Sequence, residues 1–236
     1  MSTQELDAVL ADPRVWRGRR AAATGSPRGL PSRFPELDAV LPEGGFPDSA
    51  LTEVHCAITG IGELGLLLPV LAKQRGLVAL IAPPHIPYAP ALAAAGLDLA
   101  RLLVVHAASA RERCWAMEQA LRDGAASAVV AWLDQQRTSF AALRRLQLAA
   151  ETGACFGVVF RAWSERSGAS PAALRLALHP VGCTEAASPE RSGLRIAVLK
   201  CRGRAGRFDV SSHPQGCEVA AARTRTPAGA TKRRSR

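Results

Sequence analysis

The residues with the clearest chemical potential run from Leu51 to Leu71, LTEVHCAITGIGELGLLLPVL. A short apolar strand, a glycine-bearing turn and an apolar helix form the arrangement in which backbone N–H groups cradle a phosphate. A working phosphate loop reads GxxxxGK[ST]; its lysine holds the β and γ phosphates and its hydroxyl ligates magnesium. Counting back from Gly62, the first glycine position holds Ala57, the lysine position Glu63 and the hydroxyl position Leu64. A carboxylate at 4 Å from a phosphate repels it by about 1 kcal/mol in water, and more where water is excluded. Lys73 is the only lysine before Lys200 and stands near the far end of the following helix, so none can take over. The loop is expected to be a tight turn, with the N–H groups of Thr59, Gly60 and Gly62 left as a residual anion cradle.

Other chemistry is sparse. The six cysteines show no CxxC and no regular spacing, which points to reduced thiols and away from zinc. His55, His85 and His106 fall at neighbouring strand ends and read as structural histidines. Trp16, in VWRGRR, is a candidate partner anchor, since Trp and Arg are enriched where partners meet. Trp115 and Trp132 read as core or near-core residues. The formal net charge is +10, and the stretch from Gly203 onward holds eight Arg/Lys against two acids. That stretch suits a polyanion. Its candidate contacts are Arg204, Arg207, Arg223, Arg225, Lys232, Arg233, Arg234 and Arg236.

These residues need a scaffold, and the sequence supplies one. Apolar runs at Leu51–His55, Leu77–Ile81, Leu102–His106, Ala128–Leu133 and Cys155–Phe160 alternate with helical patterns at Glu63–Gln74, Tyr88–Ala95, Ala110–Asp123 and Phe140–Glu151. That rhythm predicts an α/β fold, a mainly parallel sheet flanked by helices. Leu174–Leu178 and Leu194–Lys200 alternate apolar and polar residues and predict an antiparallel C-terminal strand pair. Gln4–Leu10 and Phe34–Leu41 read as short helices around a Gly/Pro/Ser-rich connector. The expected organisation is an N-terminal helix and connector over 1–33, a core over 34–202 and a basic disordered tail over 203–236. Nothing resembles a signal peptide. The uncharged stretch Gly76–Leu97 is interrupted by APPHIPYAP, so a soluble protein with no membrane contact is expected.

The order of elements resembles the ATPase core of RecA-type recombinases, in GLPSRFPELDAVLPEGGFPDSALTEV and in LVALIAPPHIPYAPALAAAGLDLARLLVVHAAS followed by a helix and AVVAWLD. It is more similar still to ImuA, the smaller RecA-like, SulA-related accessory factors of bacterial translesion synthesis, in PPHIPYAPALAAAGLDLARLLVV, LRRLQLAAETG and LRIAVLKCRGR, over about Val15 to Arg204. The RecA resemblance implies a water-activating glutamate where Pro84 stands and a magnesium-associated acid where Trp132 stands. Asp134, two residues on, is a poor substitute. It also implies a DNA-binding loop over Arg161–Pro171, with Arg161 and Arg166 as candidates, and a partner-facing strand end at Lys200 and Arg202.

With lysine, water-activating acid and metal acid all absent, a RecA-like core without catalysis or cofactor is expected. The ImuA resemblance implies a cytoplasmic, nucleoid-associated accessory factor of damage-induced (SOS) translesion synthesis. It would bridge ImuB, a Y-family polymerase-like protein, and an error-prone polymerase alpha subunit, with RecA itself a further partner and weak non-specific DNA binding. Two other classes stand beside it: a SulA-like inhibitor of cell division acting on FtsZ, and a DNA-dependent ATPase.

Overall fold

A computed structural model describes residues 29–41, 43–134, 136–163, 168–181, 193–201, 208–213 and 216–220. The apolar runs become strands β1 (Leu51–Cys56), β2 (Leu77–Ile81), β3 (Leu102–Val105), β4 (Ala126–Trp132) and β5 (Phe156–Ala162). They are joined in one sheet by β6 (Leu174–Val181), β7 (Gly193–Cys201), β8 (Phe208–His213) and β9 (Gly216–Ala220). The order is β3-β2-β4-β5-β1-β6-β7-β8-β9. Every pairing from β3 to β6 is parallel, and those from β6 to β9 are antiparallel. The protein is therefore a mixed α/β fold, a mainly parallel sheet flanked by helices and antiparallel at its C-terminal side.

The helices are α1 (Pro35–Val40), α2 (Leu68–Leu71), α3 (Ala89–Ala94), α4 (Ala110–Arg122) and α5 (Phe140–Thr152). Both long helices start where a serine can satisfy free N–H groups. Ser109 forms a reciprocal capping box with Glu112, and Ser139 accepts from Ala142 N–H. Met117 and Leu121 of α4 and Leu143 and Leu146 of α5 bury against Leu51, Val129 and Val159 on one sheet face. Val54, Val78, Val130, Val158 and Leu176 fill the other face with Leu37 and Phe46. Gly153, which ends α5, lies so close to the end of α4 that a Cβ there would sit 1.9 Å from Leu121 O.

Four expectations are corrected here. The helix expected over Glu63–Gln74 is a 3-10 turn (Glu63–Leu66) followed by the single turn of α2. Pro69 has no N–H to continue an α-helix from Glu63, so the chain tightens and restarts. The core also begins before residue 34, because Leu30 pairs with Phe46 through two backbone hydrogen bonds of 2.8 Å. Nor does it end at 202: β8 and β9, within the stretch read as a disordered tail, extend the sheet from β7. FDVSSH and GCEVA flank a two-residue Pro-Gln connection, short enough for a hairpin. Trp115 is not a core residue; it lies on the outer side of α4 with 62% of its surface exposed.

Cys56, Cys114, Cys155 and Cys201 are free thiols. Burial pushes Cys56 and Cys155 up to about 12, so both stay protonated and unreactive at neutral pH. Among the described residues no helix is long and apolar enough to cross a membrane.

Candidate functional site

The loop after β1 leaves the sheet at Ala57, whose N–H donates to Leu178 O at 3.2 Å. Gly60 and Gly62 follow with φ of +86° and +90°. No backbone or side chain crowds either position, so the left-handed conformation is what calls for glycine. Glu63 then folds back. Both of its carboxylate oxygens lie 3.1 Å from Gly60 N, which donates to them, and the residue is buried. The carboxylate at the lysine position therefore occupies a loop N–H. Leu64 packs against the core beneath. Thr59 stays exposed.

Beside the loop, at the carboxyl ends of β1, β4 and β5, lies an open cleft of about 530 Å³ whose walls include Thr59, Glu63, Pro84, Arg113, Trp132 and Asp134. This is where an open parallel sheet places ligands. Pro84 is exposed at the rim. Trp132 stacks on Phe160 with ring centroids 5.2 Å apart. Asp134 accepts from Gln136 N–H at 2.8 Å and caps its own turn. Lys73 lies elsewhere, lining a separate hollow with Leu30 and Gly76. Among the described residues no group of three or more His, Cys, Asp or Glu is placed to hold a metal. The three histidines do not form a cluster of like kind, since His55 is fully buried while His85 and His106 are exposed.

Next to the cleft the sheet carries a buried charged network that sequence reasoning missed. Glu53 of β1 is fully buried. Arg161 of β5 pairs with its Oε1, Arg175 Nε of β6 lies 2.9 Å from its Oε2, and His55 Nε2 lies 3.3 Å from Oε1. Strand alternation brings them together, because β1, β5 and β6 are adjacent and parallel and these residues point to one face. Burial alone pushes the Glu53 carboxyl up; hydrogen bonds from His55, Ser170 and Arg161 outweigh it and hold the group at about 2 against an ordinary 4.5. A charged residue inside the apolar run LTEV was the available signal, since a buried acid needs partners.

Arg161 is thus corrected as a DNA-binding candidate. It lies within β5 rather than on a mobile loop, is 8% exposed, and spends its guanidinium on Glu53 and on Thr138 O at 3.2 Å. Lys200 is exposed along its stem, but its ammonium donates to Ser170 O at 2.7 Å and Ala172 O at 2.8 Å. It ties β7 to the segment leading into β6. We therefore expect Lys200→Glu to lower stability by about 1–3 kcal/mol, since two carbonyls lose a charged donor. An unchanged urea midpoint would count against that anchoring role. Trp16, Arg166, Arg202, Arg204, Arg207, Arg223, Arg225, Lys232, Arg233, Arg234 and Arg236 lie outside the described residues.

Comparison with known proteins places part of this core. Residues 52–157, 106 of the 236, match the model of the family described as cell division inhibitor SulA. The solved structure of SulA from Pseudomonas aeruginosa is 28% identical, covers 50% of this chain and 100% of its own, and superposes with a TM-score of 0.41. No curated protein matches the chain. The similarity to the SulA family is confined to that segment, which holds nearly all of β1, β2 to β4, α4, α5, the loop after β1 and most of the cleft.

Proposed function

We propose that this protein is a non-catalytic docking core, a RecA-like accessory factor of damage-induced translesion DNA synthesis that joins ImuB to an error-prone polymerase alpha subunit and contacts RecA. The observation that carries the non-catalytic part is the Glu63 carboxylate seated on Gly60 N–H, with Pro84 and Trp132 standing where acids would be required. Phosphoryl transfer consists of positioning and charge stabilisation, and here the charge at the loop has the wrong sign. The adaptor part is supported by the ImuA-like stretches, the last of which, LRIAVLKCRGR, lies beyond the SulA-type segment, and by β6 to β9, which all lie beyond it. The location that goes with this role is the cytoplasm, at the nucleoid.

Affinity capture of ImuB and the polymerase alpha subunit by the full chain tests the adaptor. Neither partner being retained would end that reading. The family description of the matched segment favours a second reading, inhibition of cell division through FtsZ. Sedimentation of FtsZ polymers with and without the protein decides it: loss of polymer at stoichiometric amounts supports inhibition, and unchanged polymer removes it.

For nucleotide, the expected result is no ATP turnover above background, with or without single-stranded DNA. DNA-stimulated hydrolysis that disappears in a Gly62→Val variant would contradict the non-catalytic reading.

A further inference from the structure

We infer that Glu63 acts as the internal ligand of the loop after β1, closing its N–H cradle against phosphate and fixing the loop's shape without any bound molecule. The two left-handed glycines bend the chain so that Gly60 N points inward, and the position that meets it is filled from within. Both oxygens of Glu63 reach that nitrogen at 3.1 Å. The residue is 5% exposed, although the loop residues before it, Ala57 to Gly60, are all exposed. A carboxylate is buried in this way when it has a partner, and the partner seen is a backbone donor of the kind that binds anions. Its charge is felt nearby: after burial, Glu63 is the second cause raising the Cys56 thiol.

The 3-10 turn that starts at Glu63 has no side-chain cap, so the back-folded carboxylate is the side-chain contact that ties this turn to the loop before it. Removing the carboxylate frees Gly60 N–H to solvent and loosens the turn. Keeping the charge but shortening the side chain by one methylene, as in Glu63→Asp, withdraws the oxygens from reach and does the same. This inference deepens the non-catalytic reading, because it makes the cleft wall nucleotide-independent. It is tested on the isolated chain, so loss of a partner in the capture experiment leaves it standing.

The test is amide hydrogen exchange at Gly60, read by NMR in the full-length wild type, Glu63→Ala and Glu63→Asp. The expected result is protection in the wild type and exchange about tenfold faster in both variants, the size of one charge-assisted hydrogen bond, with core amides of β4 and β5 unchanged. If alanine unfolds the chain, the aspartate variant carries the comparison. Equal Gly60 exchange in wild type and variant would overturn the inference. So would a saturable shift of the wild-type Gly60 amide on titration with inorganic phosphate, since the cradle would then be open.

Discussion

Arg161→Ala is expected to cost roughly 3–5 kcal/mol of stability, the effect of leaving a buried carboxylate without its partner. Against the 5–15 kcal/mol by which folded domains usually exceed the unfolded state, that approaches the whole margin. Glu53 is fully buried and cannot turn to water, and Arg175 with the hydrogen bonds from His55 and Ser170 would have to balance it. The triple variant Glu53→Leu, Arg161→Met and Arg175→Met should recover most of the loss, because well-packed apolar groups often replace a buried ionic cluster without penalty, whereas removing Glu53 and Arg161 alone would leave Arg175 without its carboxylate. Urea melts of the parent, the single and the triple variant measure both numbers. A single variant that melts within about 0.5 kcal/mol of the parent would return Arg161 to the class of surface arginines.

The same network sets an acid limit. The folded carboxyl of Glu53 sits at about 2 and the ordinary value is 4.5. A depressed acid contributes stability that is complete above its unfolded value and is lost as pH falls through the folded one. Stability from this group should therefore be level above about pH 5 and decline between pH 5 and pH 2, by roughly 3 kcal/mol in all. A Glu53→Gln variant should show a correspondingly flatter acid limb in melts run across that range.

Much of the scaffold was legible because its strands are buried on both faces. LVALI, AVVAW and FGVVF have no polar face and alternate with helices whose starts are marked by Ser109 and Ser139. What escaped were features that depend on partners distant in sequence. Glu53, Arg161 and Arg175 are spread over 123 residues, and only the side-by-side placement of β1, β5 and β6 makes them one cluster. Arg161 read as a loop residue because the apolar run stops at Phe160, whereas the strand continues to Ala162, with Arg161 held inside by its ion pair. The loop after β1 was readable in its chemistry, since Glu63 at a lysine position predicts a closed site. Its geometry was not readable, because nothing in ITGIGELG says that the carboxylate turns back onto Gly60. β8 and β9 were hidden by composition: two short strands set among Arg, Gly and Ala carry too little apolar alternation to stand out.

Removing the chain from Gly203 onward is expected to damage the fold, whereas removing it after Ala220 is not. β8 pairs with β7 over five residue positions and β9 with β8 over five more. The antiparallel side also reaches back to the start of the core, since α1 lies against both strands. A cut before Gly203 strips this hairpin away and leaves the outer edge of β7, with its unpaired N–H and C=O groups, open to other chains. The shorter protein should melt several degrees lower and sediment as aggregate or higher oligomer. The cut after Ala220 leaves the sheet whole and takes six basic residues, Arg223, Arg225, Lys232, Arg233, Arg234 and Arg236. That second variant is therefore the one to use for DNA. If about three of the six engage phosphates at once, the full chain should bind single strands with a log–log salt slope near −2. The variant should lose most of both affinity and slope while its thermal midpoint stays that of the parent. Equal melting of the two truncated proteins would mean that β8 and β9 contribute nothing to the core. An unchanged salt slope in the longer one would move DNA binding from residues 221–236 to the sheet itself.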